Sequence, residues 1–168
     1  MPRSSVIVAL ALAGAVALLD QATKLWVRAT FQLGESVHVF GPLSLTHVEN
    51  RGAVFGIGQG YVALPAVATA LILVALPIVI RYLRVKHGYH LTRLDAICVG
   101  LVAGGAIGNL IDRVGRAAVT DFVDVTLFPG YHWPAFNVAD ACVVIATLLL
   151  LLIFFRHGAA EAARNAKE

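Results

Sequence analysis

The sequence predicts an all-α polytopic membrane protein: four transmembrane helices and a small strand-containing extracytoplasmic lobe, in one domain over 1–168. Three observations carry that prediction. Of 168 residues, 59% are apolar and only 14% charged, with a mean hydropathy of +0.81, whereas soluble domains carry nearer a quarter charged residues. Four apolar segments approach the roughly 20 residues that about 30 Å of hydrocarbon demands. Lys and Arg gather in alternate connections, as the charge rule of membrane topology requires. The net charge of +3 and pI near 9.1 are therefore those of a membrane protein, and nucleic acid is not an expected partner.

The first span is read over 6–27. Arg3 ahead of an apolar run has the look of a signal peptide, but Asp20, Lys24 and Trp26 stand where a small-residue cleavage site belongs, so the span is retained. The segment 29–60 contains a single basic residue, Arg51, and is placed outside the cytoplasm. Within it Val37-His38-Val39-Phe40 and Leu43-Ser44-Leu45-Thr46-His47-Val48 alternate around Gly41-Pro42, which predicts a strand-rich lobe. The second span, 61–80, contains no charge, and Pro77 is expected to kink it. Arg81, Arg84, Lys86 and Arg93 crowd the loop 81–94, which faces the cytoplasm together with Arg3, Arg156, Arg164 and Lys167; both termini are inside.

The third span, 95–111, presents Gly100, Gly104, Gly105 and Gly108, a smooth face for close helix packing. An extracytoplasmic loop, 112–135, follows, in which Tyr131-His132-Trp133-Pro134 has an interfacial composition. The fourth span is 136–155. Cys98 and Cys142 lie in apolar runs and read as small buried residues. His38, His47 and His132 show no ligand spacing and read as surface histidines; no metal site is expected.

The acids are the chemically informative residues. The apolar runs 6–19, 96–111 and 141–155 each cover only about 21–24 Å at 1.5 Å per residue, and Asp20, Asp112 and Asp140 close them on the outer side. Three acids at one level on three spans point to a shared polar site, because intramembrane carboxylates are costly. Two carboxylates sharing a site hold one proton between them and serve as acid and base together, so that water adds to a peptide carbonyl without a covalent intermediate. The chain shows no recognisable Ser or Cys nucleophile context and no HExxH motif. The candidates are Asp20, Asp112, Asp121, Asp124 and Asp140, and periodicity does not choose between them. Lys24, four residues after Asp20, favours a helical ion pair and a structural Asp20; Asp124 reads as interfacial.

The stretches Asp20-Gln-Ala-Thr-Lys24, Asn50-Arg-Gly-Ala-Val-Phe55, Gly104-Gly-Ala-Ile-Gly-Asn-Leu-Ile-Asp-Arg113, Val119-Thr-Asp-Phe122 and Phe136-Asn-Val-Ala-Asp140, taken in order over about 20–142, resemble the motifs of the bacterial lipoprotein signal peptidase, or signal peptidase II, family. The resemblance implies an inner-membrane aspartic endopeptidase that removes the signal peptide of a prolipoprotein before its diacylglyceryl-modified cysteine. It places the catalytic pair on Asp121 and Asp140, makes Asn50, Asn109, Arg113 and Asn137 substrate-site residues, and gives Asp20, Lys24 and Asp112 structural roles. No cofactor is implied; the expected partners are diacylglyceryl-modified prolipoproteins and membrane lipids, with a monomer sufficient. Val54 and Thr120 stand where the family often has Ala and Val. For Arg113 two partners remain open, its neighbour Asp112 or a lipid phosphate or substrate carbonyl. The competing class is a proton- or ion-translocating protein, for which acids on several spans are also expected; acids gathered at one outer level, without steps across the bilayer, weigh against it.

Overall fold

The computed structural model describes residues 3–52, 63–88 and 92–165. Along them run α1 (Arg3–Thr30), β1 (Ser36–Phe40), β2 (Leu43–Asn50), α2 (Ala63–His87), α3 (Arg93–Arg116), β3 (Val119–Phe128), β4 (Tyr131–Phe136) and α4 (Val138–Asn165). Leu- and Ala-rich runs favour helix, and hydrocarbon enforces it by leaving no other partner for backbone polar groups. Helices over Ser4–Thr30, Pro65–Lys86 and Arg93–Arg116 are long and apolar enough to cross a membrane, and α4 supplies a shorter apolar stretch, Val138–Ile153. Pro77 is accommodated inside α2. Residues 53–62 and 89–91, which hold the start of the second predicted span, Val54 and part of the loop 81–94, lie outside the described residues.

Helix α3 is the centre of the bundle, packing on α1, α4 and α2. Its glycines are what allow this. A Cβ on Gly100 or Gly104 would stand 2.8 Å from the Ala9 carbonyl or 2.7 Å from the Ala13 carbonyl of α1, and one on Gly105 would stand 2.6 Å from the Ala139 carbonyl of α4. The predicted small-residue face therefore serves two neighbours, with backbone against backbone. At the start of α3, Thr92 accepts from the Asp95 amide and Asp95 accepts from the Thr92 amide, a reciprocal cap. At its end Ala117 turns left-handed (φ 58°) and donates to the Arg113 carbonyl, sending the chain into β3 two residues later.

The mostly helical architecture with a small strand-containing lobe is found, and the lobe holds more strand than expected. The segment 112–135, read as a loop, finishes α3 and then forms β3 and most of β4, and the sheet is four-stranded and antiparallel in the order β1-β2-β3-β4. The alternating segment 36–48 forms β1 and β2 as predicted. Strand β3, Val-Thr-Asp-Phe-Val-Asp-Val-Thr-Leu-Phe, is dense in β-branched and aromatic residues, which fit a pleated surface. It pairs with β2, Val48 facing Asp121 and Glu49 facing Thr120. Pro134 is tolerated because β4 is an edge strand and the register shifts there, between the Val123–Phe136 and Val125–Trp133 pairs. The short loop 81–94 also contracts, since α2 continues to His87 and α3 begins at Arg93. Because α1 leads into β1, α3 into β3 and β4 into α4, the sheet caps one end of the bundle.

One histidine departs from the surface reading. His47 is buried, with Nδ1 3.0 Å from the Phe31 carbonyl, so it ties β2 to the end of α1. His38 is exposed, and His132 lies 2.9 Å from both oxygens of Asp124 on the outside of the sheet. Cys98 is buried and Cys142 half-buried, both as free thiols.

Candidate active site

The acids separate into two layers. The deeper one is an ion cluster built on α1 and α3. Lys24 Nζ, fully buried, lies 2.8 Å from Asp20 Oδ2 and 3.1 Å from Asp112 Oδ2. The expected Asp20–Lys24 pair is therefore formed, with Asp112 as a second counterion. Each carboxylate also accepts a backbone amide: Asp20 Oδ1 from Ala139 of α4 at 3.0 Å and Asp112 Oδ2 from Thr120 of β3 at 3.2 Å. Gln21 Nε2 bridges Asp20, Asp112 and the Gly108 carbonyl. Gly108 is small because Asp20 occupies the space its Cβ would take. A buried cation with two carboxylates is tolerable only when its remaining hydrogen-bond capacity is met, and here Lys24 also donates to Asn109 Oδ1 at 2.8 Å.

That last bond leads into the upper layer, where Asp121 and Asp140 are joined through asparagines. Asn137 Nδ2 donates to Asp121 Oδ1 at 2.6 Å and to Asn109 Oδ1 at 3.2 Å, and Asn109 Nδ2 donates to Asp140 Oδ1 at 2.8 Å. From the sheet, Asn50 Nδ2 donates to Asp121 Oδ2 at 3.1 Å. Each amide has its orientation dictated by a donor on its carbonyl side. Lys24 holds Asn109 Oδ1, the Gly52 amide holds Asn50 Oδ1 at 3.0 Å, and the Asp140 amide holds Asn137 Oδ1 at 3.0 Å. All three asparagines must then present NH₂ to a carboxyl group.

The two carboxyls sit in unlike surroundings. Asp140 is the third residue of α4, half-buried, and accepts the Asn137 amide at 3.3 Å in return for the cap that Asn137 provides. Asp121 is 2% exposed on β3. Burial, then the charge of Asp140, push its carboxyl up to about 7, against the opposing effect of the Asn50 and Asn137 bonds.

Arg113 does not pair with Asp112, whose cationic partners among the described residues are Lys24 and Arg28. Its Nη1 donates to the Asn109 carbonyl at 3.4 Å, and its charge acts on Asp140, Asp121 and Asp112, so the guanidinium faces the upper layer. Asp124 pairs with His132 and takes no part in the asparagine network. Among the described residues no cluster of three His, Cys, Asp or Glu is placed to hold a metal ion. The sequence reading missed Gln21 and Arg28. Arg28 had a signal, since it stands four residues after Lys24 and eight after Asp20, on the same helical face.

Apolar helices that close an amide-braced pair of carboxyls beneath a small sheet are the architecture of a membrane enzyme. Comparison with known proteins narrows the class. The profile of the family described as signal peptidase (SPase) II matches residues 12–156. The lipoprotein signal peptidase of Syntrophomonas wolfei is 42% identical over 152 residues, 90% of this chain and 94% of that one. That of Geobacillus thermodenitrificans is 41% identical, covering 86% of this chain and 87% of its own. A solved bacterial membrane enzyme superposes with a TM-score of 0.77 at 32% identity over 90% of both chains, and a second with 0.72 at 33% identity over 87% of this chain and 91% of that one. The chain belongs to the signal peptidase II family and is a membrane peptidase.

Proposed function

We propose that this protein is an aspartic endopeptidase of the bacterial inner membrane that removes the signal peptide of prolipoproteins, cutting before a diacylglyceryl-modified cysteine, with Asp121 and Asp140 as the catalytic pair. The observation that carries the mechanism is the asparagine bridge, which sets two carboxyls in one site and in unlike surroundings. Asp140, at the helix N-terminus and less buried, is the base; Asp121, buried and holding its proton up to about neutral pH, is the acid.

Water bound to Asp140 gives it a proton while its oxygen adds to the scissile carbonyl carbon, and Asp121 gives its proton to the carbonyl oxygen. The tetrahedral diol then collapses: Asp140 returns its proton to the leaving cysteine nitrogen, the C–N bond breaks, and Asp121 recovers a proton as the new carboxyl forms. The products are a signal peptide ending in a carboxyl group and a lipid-bearing N-terminal cysteine. Asn50, Asn109 and Asn137 hold the two carboxyls in place, and Arg113 faces the substrate carbonyl or a lipid phosphate.

The same reading places four spans in the bilayer with both termini cytoplasmic and the sheet at the outer face. A signal peptide is a short apolar helix in the bilayer, and a cysteine carrying lipid stays near the headgroups, so scissile bond and carboxyls meet at one depth. One copy of the chain holds the whole site. The test is cleavage in detergent of a prolipoprotein with and without diacylglyceryl on its cysteine, read by product mass. A product beginning at the modified cysteine, from the modified substrate alone, is expected. Equal cleavage of both substrates, or a cut elsewhere, contradicts the reading; no cleavage by folded protein returns the ion-translocating alternative.

A further inference from the structure

The residue ahead of Asp121 is tied at every polar atom. Thr120 is 1% exposed. Its amide donates to Asp112 Oδ2 at 3.2 Å, its carbonyl accepts from Asn137 Nδ2 at 3.4 Å, and its hydroxyl accepts from Arg28 Nη1 at 2.8 Å. Asp112 and Asn137 already belong to the two layers of the site. Arg28, at the edge of the deeper one, makes the shortest bond of the three.

Arg28 stands one helical turn beyond Lys24 on α1, with a side chain 14% exposed, and its Nη1 also lies 3.5 Å from Asp112 Oδ1. Two simpler roles fit poorly. Charge balance for Asp112, which shares Lys24 with Asp20, accounts for the 3.5 Å contact but not for the shorter bond from Arg28 to Thr120 Oγ1. An arginine reaching for headgroups from a helix end extends into solvent, whereas this one turns inward against β3. A guanidinium is planar and purely a donor, so placed between a hydroxyl and a carboxylate it fixes the distance between them.

We propose that Arg28 is a positioning residue for the peptidase reaction: clamped on Thr120 Oγ1 and Asp112, it fixes the first residues of β3 at the height where Asp121 meets Asn50 and Asn137. The inference rests on the reading of Asp121 as the catalytic acid. Arg28 acts through the backbone, because adjacent strand residues point to opposite faces: the Thr120 hydroxyl meets Arg28 of α1, and the Asp121 carboxyl meets Asn50 and Asn137. The Asn137–Asp121 bond of 2.6 Å tolerates little sliding of the strand.

The test compares Thr120→Val, Thr120→Ser, Arg28→Met and the double variant Thr120→Val/Arg28→Met of the full chain in detergent. Steady-state cleavage of lipid-modified prolipoprotein is one readout. The other is an infrared pH titration of the Asp121 carboxyl, identified by its absence in Asp121→Asn. Losing a hydrogen bond to a charged group lowers kcat about tenfold in Thr120→Val with KM unchanged, and Thr120→Ser stays within about twofold of wild type. The double variant is no slower than Arg28→Met, because both changes remove one bond. Wild-type kcat in Thr120→Val, equal losses in the Val and Ser variants, or additive losses in the double would overturn the proposal. If Arg28→Met fails to fold, the Val and Ser variants decide alone.

The titration separates this proposal from the function it rests on. If folded wild type cuts nothing, the proposed function fails, and the clamp is then judged by the midpoint. A loosened β3 admits water to Asp121, so Thr120→Val titrates at lower pH than wild type and Thr120→Ser does not. Coincident midpoints in all three would overturn it.

Discussion

Replacing Lys24 by methionine keeps the length of the side chain and removes its charge from the most buried polar cluster in the bundle. Lys24 Nζ holds Asp20 at 2.8 Å, Asp112 at 3.1 Å and Asn109 Oδ1 at 2.8 Å. With the ammonium gone, Arg28 at 3.5 Å from Asp112 is the remaining close cation, and it faces two carboxylates. Breaking a buried ion pair from one side costs about 3–5 kcal/mol. For a chain of 168 residues that corresponds to a fall in melting temperature of about 6–20 °C, read by intrinsic fluorescence of the detergent-solubilised protein. Charge balance makes a sharper statement than the size of the fall. In Lys24→Met/Asp20→Asn one carboxylate faces one cation again, so the double variant melts higher than Lys24→Met alone. A double variant that melts at or below the single would refute the view that the cluster is held together by charge compensation.

The raised Asp121 carboxyl makes stability depend on pH. Its ordinary value is 3.8 and its folded value about 7, so the folded state binds this proton more tightly; the stabilisation is complete below about pH 4 and is lost as pH rises to about 7. Asp121→Asn lacks that titration and should gain melting temperature on wild type between pH 5 and pH 8, while parallel curves would contradict the assignment. Wild-type cleavage should decline as pH rises past about 7, where the acid loses its proton. Gly105→Val sets a Cβ 2.6 Å from the Ala139 carbonyl and forces α4, with Asp140, away from α3; a loss of about 1–3 kcal/mol and of most cleavage is expected, whereas Gly115→Ala, with nothing within 4 Å, leaves both unchanged. Thr92→Ala removes the cap of α3 at the end remote from the carboxyls, costing about 1 kcal/mol in a melting experiment and leaving kcat as it was.

The parts of this molecule that follow from local pattern are legible in its sequence, and those that depend on distant pairing are not. Length and hydropathy place the helices, and spacing alone finds the Asp20–Lys24 pair and the glycine face of α3. Strand β3 escaped because its burial is not a plain alternation: its first four residues, Val119 to Phe122, are all buried. Its pairing with β2 also joins segments separated by two helices. His47 escaped for a related reason, its partner being the carbonyl of Phe31 at the end of α1. Candidates for the site could be named by residue type, and motif resemblance chose Asp121 and Asp140 among them. The amide orientations that distinguish those two carboxyls depend on Lys24, Gly52 and the α4 cap, which no spacing rule brings together. Arg28 was within reach of the same i,i+4 reasoning that found Lys24, but its partner Thr120 lies on another element.

The central claim is that Asp121 and Asp140 perform the hydrolysis. Its most direct test is cleavage of lipid-modified prolipoprotein by Asp121→Asn and Asp140→Asn, each checked for folding by its melting curve. The account predicts a folded protein with no detectable product in both cases. A folded variant of either kind that cleaves at the wild-type rate would contradict it.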